Sequence, residues 1–95
     1  MYTENAIFQK VKTVIFNIFS ERGNISDDFL NKIDVNTNLF NDIGMDSIEL
    51  LTAITELENE FNIEFFDDDM DMDTIIVVKN IVESVQRALN ENEGE

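Results

Sequence analysis

From Ala6 to Phe19 the apolar residues Ile7, Phe8, Val11, Val14, Ile15, Ile18 and Phe19 recur at intervals of three and four. That spacing gathers side chains on one face of a helix and predicts a first amphipathic helix, with Gly23 after Glu21-Arg22 as its stop. A second helix is predicted from Ser47 to Phe61. On a wheel of about 100° per residue, Leu50, Leu51, Ala53, Ile54, Leu57 and Phe61 form one core arc. Glu49, Thr52, Glu56, Asn59 and Glu60 fall opposite, with Ile48 at the border. A third long helix is predicted from Thr74 to Leu89, with Thr74 as its cap and Ile75, Val78, Ile81, Val82, Val85 and Leu89 as its stripe.

The connecting segments are less regular. Asn24 to Asn38 mixes Asn, Asp, Ser and Thr with isolated apolar residues and reads as a long loop. Ile25, Phe29, Leu30, Ile33 and Val35 are too apolar for a free linker, so some of them should anchor it, with Leu39-Phe40 doing the same before the second helix. Phe65-Phe66 and the run Asp67-Asp68-Asp69-Met70-Asp71-Met72-Asp73 leave room for one short helical turn. Ile75-Ile76-Val77-Val78 has the composition of a short strand, but the stripe that continues beyond it favours helix. The expected architecture is all-α: a single domain over residues 1–95, three long helices and one short, with a core from about 4 to 90 and a polar, frayed tail over 91–95.

Composition narrows the chemistry. The 95 residues can bury a core of their own without cross-links, and with no cysteine or histidine neither a disulfide nor a zinc site is available. The opening Met1-Tyr2-Thr3-Glu4-Asn5 has no basic region, and no apolar run approaches the roughly 18 residues of a membrane span, so a soluble, cytoplasmic chain is expected; it is also expected to be a monomer. The formal net charge of −15 arises from 21 acids against 6 bases. It repels nucleic acid and anionic lipid and attracts basic protein surfaces. The field is concentrated: no base lies between Lys32 and Lys79, whereas 12 acids run from Asp42 to Asp73.

The start of the second helix holds the candidate chemistry. Asp46 precedes it and Glu49 stands three residues on, the pattern of a reciprocal capping box. With Asp46 as the cap, Ser47 sits in the first turn beside the positive end of the helix dipole, after a Gly44 that permits a sharp turn. An anion attached there would be stabilised. On local physics alone, an ordinary first-turn serine fits at least as well.

The wider segment adds to this. Gly44-Met45-Asp46-Ser47-Ile48, followed by Leu51, Ile54, Leu57-Glu58 and Phe61-Asn62-Ile63-Glu64-Phe65, closely resembles the phosphopantetheine attachment region of acyl and peptidyl carrier proteins. That family reads Gly-x-Asp-Ser-Leu, then spaced aliphatics, then Glu-x-x-Phe and an alternating apolar tail. The order of predicted elements fits the family over nearly the whole chain. The resemblance implies an acyl-carrier-like four-helix bundle in which Ser47 accepts 4′-phosphopantetheine from coenzyme A through a separate phosphopantetheinyl transferase. Acyl groups would ride on that arm as thioesters, presented to loading enzymes and downstream synthases with basic docking surfaces. By the same comparison Asp46 helps to orient the transferase, and Ile48, Glu49, Glu56 and Asn59 meet partners. Ile48 replaces the usual leucine, a conservative change. Thr52 stands where fatty-acid carriers usually place an acid, which favours a polyketide, peptide-synthetase or other specialised system, with fatty-acid synthesis still open.

Other readings are weaker. Asp69, Asp71 and Asp73 have the first spacings of an EF-hand loop, but position six would be Thr74 rather than glycine and position twelve Asn80 rather than glutamate, so no metal site is expected. Met70 and Met72 suit core filling, and Ile54, Phe61, Ile63, Ile75 and Val78 would line any cleft that receives an acyl chain. No nucleophile-base pair or phosphate loop suggests an enzyme; an unmodified acidic interaction module is the alternative to a carrier. The crowded acids make a simple prediction. The melting temperature should rise between low and moderate salt, and a salt-independent melt would show that like-charge repulsion is not a material part of the stability.

Overall fold

The computed structural model describes residues 3–23, 27–66 and 71–93, and its regular elements there are helical. Helix α1 (Glu4–Ser20) begins where Thr3 Oγ1 accepts the Ala6 amide at 3.1 Å, so the cap rather than the first apolar residue sets the start. It buries Ile7, Val11, Val14, Ile15, Ile18 and Phe19. Arg22 and Gly23 then fold their amides back onto the Phe19 and Ser20 carbonyls, both at 3.0 Å, with Gly23 at φ +81.

The expected long loop contains a 3₁₀ turn, Asp27–Lys32. It forms where Phe29 meets α1, with ring centroids 5.0 Å from Phe19 and 6.5 Å from Phe16. Ile33 is buried and Leu30 half-buried, as anchors should be, whereas Val35 is 43% exposed. Its backbone does the anchoring instead, since the Val35 carbonyl accepts the Lys79 amide at 2.8 Å. Ile25 lies outside the described residues. Leu39 is fully buried and Phe40 half-buried against the core.

Helix α2 (Ser47–Phe61) occupies the predicted span and buries Leu50, Ala53, Ile54, Leu57 and Phe61. Leu51 was placed on the same arc but is 42% exposed. It lies about 100° around the helix from the centre of the buried set, too far to reach the core. Asn62 ends the helix in the left-handed conformation at φ 56, and the Ile63 amide returns to the Glu58 carbonyl at 3.0 Å. The Glu58 carboxylate then accepts the Phe65 amide at 2.9 Å and the Phe66 amide at 3.3 Å, which turns buried Phe65 toward the core.

The last part of the chain corrects the sequence expectation in two places. A short α3 (Met72–Ile75) is capped by Asp71, whose carboxylate accepts the Asp73 amide at 3.0 Å, and α4 (Val78–Glu93) starts only after a break at Ile76-Val77. Thr74 therefore lies inside α3 and caps nothing. The first amides of α4 are satisfied by backbone from the loop, Val78 to the Thr37 carbonyl at 3.1 Å and Lys79 to that of Val35. At the break the Leu39 amide takes the Ile76 carbonyl at 2.8 Å, and Asn38 and Val77 form an isolated antiparallel bridge. The β-branched run thus behaves as a strand for one residue pair, although Ile75, Val78, Ile81, Val82 and Val85 are all buried as the stripe requires. At its far end α4 runs past Leu89 to Glu93, into the segment expected to fray, because no glycine or proline interrupts it before Gly94.

Helix α1 packs against both α2 and α4 around one continuous core. Met72 is half-buried against that core, while Met70 and Asp67 to Asp69 lie outside the described residues. Leu39 joins the loop to this core and should matter as much as a helical core residue. Leu39→Ala is expected to cost about 2–5 kcal/mol in urea unfolding, and a loss below about 1 kcal/mol would show that the loop is not integral to the core.

Candidate functional site

Glycine 44, at φ +74, turns the chain sharply before α2, and Met45 beside it is buried, its amide bonded to the Leu39 carbonyl at 2.9 Å. The attachment of this turn to the core aims the next residues outward. Asp46, in extended conformation, accepts the Glu49 amide at 2.8 Å, and Glu49 Oε1 accepts the Asp46 amide at 3.1 Å. The capping box expected from the sequence is therefore present.

Ser47 is the first residue of α2 and is exposed. Among the described residues its hydroxyl has no hydrogen-bond partner. The Glu49 amide is taken by Asp46 and the Leu50 amide by the Asp46 carbonyl at 2.9 Å, whereas among the described residues the Ser47 and Ile48 amides have no acceptor. An exposed hydroxyl beside two open amides at a helix N-terminus fits an attached anionic group.

The candidate partner residues occupy different settings. Ile48 is 75% exposed, and with Leu51, Thr52, Thr55 and Glu56 it lines a shallow groove on the outer side of α2. Glu56 and Asn59 are exposed. Glu49 is not open in the same way, since only 17% of its side chain is exposed. Arg22, beyond the end of α1, grips both Glu49 carboxylate oxygens; its Nε lies 2.7 Å from Oε2, and it also donates to the Gly44 carbonyl at 3.3 Å. Its guanidinium sits 4.3 Å from the centroid of the Phe19 ring. The Arg22 pKa is raised above its ordinary value, first by the hydrogen bond to Glu49, so the cation persists at any working pH.

Sequence reasoning missed Arg22 and Glu58. Arg22 lies 27 positions from Glu49, beyond any local pattern, and Glu58 enters the sequence reading only as part of the family motif, without its bond to the Phe65 amide seven positions on. The five residues named for an acyl cleft, Ile54, Phe61, Ile63, Ile75 and Val78, are all buried in the common core. Of the aspartates considered for calcium, Asp71 is occupied as the cap of α3 and Asp69 lies outside the described residues; among the described residues no group of three acids is arranged for a metal ion. No helix among them is long and apolar enough to cross a membrane.

Ser47 is thus an exposed hydroxyl at a capped helix start, a place that can accept a covalent group. Comparison with known proteins makes this specific. A family model for the phosphopantetheine attachment site matches residues 15–85. An acyl carrier protein of Thermotoga maritima is 29% identical over 89 residues, covering 94% of this chain and 99% of its own length. An acyl carrier protein of Lactobacillus acidophilus is 37% identical over 68 residues, 70% of this chain and 75% of its own. No solved structure gives a match. The chain belongs to the acyl carrier protein family, whose prosthetic group is covalent 4′-phosphopantetheine.

The cap can be tested without the arm. Asp46→Ala should lower the unfolding free energy by about 1 kcal/mol in chemical denaturation, with Asp46→Asn losing less because asparagine also caps; equal stability of all three would remove the capping box as a structural determinant.

Proposed function

We propose that Ser47 carries the 4′-phosphopantetheine arm and that the chain presents acyl intermediates on it to partner enzymes of a polyketide, peptide-synthetase or other specialised pathway, with fatty-acid synthesis as the broader alternative. The observation that supports Ser47 most is its place as an exposed, unpartnered hydroxyl directly behind the Asp46 cap. When bound, the arm supplies the thiol that this cysteine-free chain lacks. The chain's own residues hold the attachment point: Asp46 and Glu49 fix the first turn, Met45 ties it to the core, and the Ser47 and Ile48 amides face the added phosphate.

The partners are a phosphopantetheinyl transferase and the enzymes that load and use the cargo. Exposed Ile48 is the apolar contact beside the arm, with Glu56 and Asn59 as polar contacts on the same helix. Glu49 joins this face only when a partner's cation displaces Arg22. Thr52 in place of an acid makes the helix less attractive to a strongly basic partner and supports the specialised pathway. A single monomeric domain working in the cytoplasm completes the reading.

The test is intact mass before and after incubation with coenzyme A, magnesium and a broad-specificity transferase, beside Ser47→Ala. One arm added to the wild type alone is expected. No addition to a folded, initially unmodified wild type would replace the carrier reading with that of an unmodified acidic interaction module.

A further inference from the structure

We infer that Arg22 is a positioning residue for the modification of Ser47, holding the turn on either side of the serine and neutralising the carboxylate beside it. The inference rests on the reading of Ser47 as the attachment site. In that transfer the Ser47 oxygen bonds to phosphorus of coenzyme A, its proton passes to a base of the transferase, and adenosine 3′,5′-bisphosphate leaves.

Two observations converge. The first is geometric: one guanidinium is bonded to the Gly44 carbonyl before the serine and to the Glu49 carboxylate after it. Glu49 Oε1 is also the atom that receives the Asp46 amide, so Arg22 secures the capping box itself. Its other side is fixed against Phe19, a buried residue of α1. The planar fork that allows both contacts is specific to arginine.

The second observation is electrostatic. Modification adds a negative phosphodiester beside Asp46 and Glu49, in the part of the chain where no base occurs between Lys32 and Lys79. Among the described residues Arg22 is the base that reaches this turn. Without it, the new charge would form next to an uncompensated carboxylate.

The experiment compares wild type with Arg22→Gln, Arg22→Lys, Glu49→Gln and the double variant Arg22→Gln/Glu49→Gln, with Ser47→Ala as control, after thermal melts confirm folding. Arg22→Gln should lower kcat for arm addition about five-fold without raising KM, the size expected of a bidentate, partly exposed ion pair. Arg22→Lys should recover only part of that loss. The double variant should be faster than Arg22→Gln, because glutamine keeps the cap and removes the stranded charge. A purely structural arginine would leave the double variant no better. Independently of any enzyme, amide exchange at Asp46 and Glu49 should quicken in Arg22→Gln while Val14 in α1 is unchanged.

Wild-type kcat in Arg22→Gln, a double variant no faster than the single, or unchanged exchange at Asp46 and Glu49 would each overturn the inference while Ser47 stands. Arm addition to Ser47→Ala would instead remove the assignment of Ser47, and the inference with it.

Discussion

Everything at the functional end of this protein depends on where α2 begins. That point is set by the Asp46 carboxylate on the Glu49 amide and the Glu49 carboxylate on the Asp46 amide. Individually these are ordinary surface hydrogen bonds, worth about 1 kcal/mol as a cap. Their effect is large because Met45 is buried on one side and Leu50 on the other, so the capping box spans the short interval between two core anchors. Shift the start by one residue and the serine would turn toward a different neighbour.

The second constraint acts on the loop that leads into this turn. The loop before α2 is held by hydrogen bonds to the α3–α4 junction, from Leu39 to Ile76, Val78 to Thr37 and Lys79 to Val35. Thr37, a buried polar residue, is satisfied locally: its hydroxyl accepts the Asp34 amide at 2.8 Å. A long segment without regular structure can therefore be as well determined as a helix, since its backbone groups find partners in the elements it connects.

Much of this was legible in the sequence, and the boundary of what was legible follows the range of the interactions. Helices α1 and α2 could be read because their apolar residues recur with the helical period, and the box at Asp46 and Glu49 because both partners lie within one turn. The break at Ile76-Val77 was hidden because the buried stripe runs through it unchanged; only the pairing with Leu39 and Asn38 separates α3 from α4. Leu51 was misplaced because it was counted with the core arc for being apolar, although it lies about 100° from the centre of the buried set. Arg22 escaped notice for the same reason as the junction: its partner is distant in the chain.

The way α4 is capped also bears on how the fold assembles. A helix with a side-chain cap carries its own start signal and can form its first turn early. Helix α4 has none; its leading amides wait for carbonyls from a segment that precedes α2. Closing that connection requires the intervening chain to be gathered first, an entropic cost that grows with the logarithm of the loop it encloses. The N-terminal turn of α4 therefore completes its hydrogen bonds only when the loop reaches it, which ties its stability to that of the segment before α2.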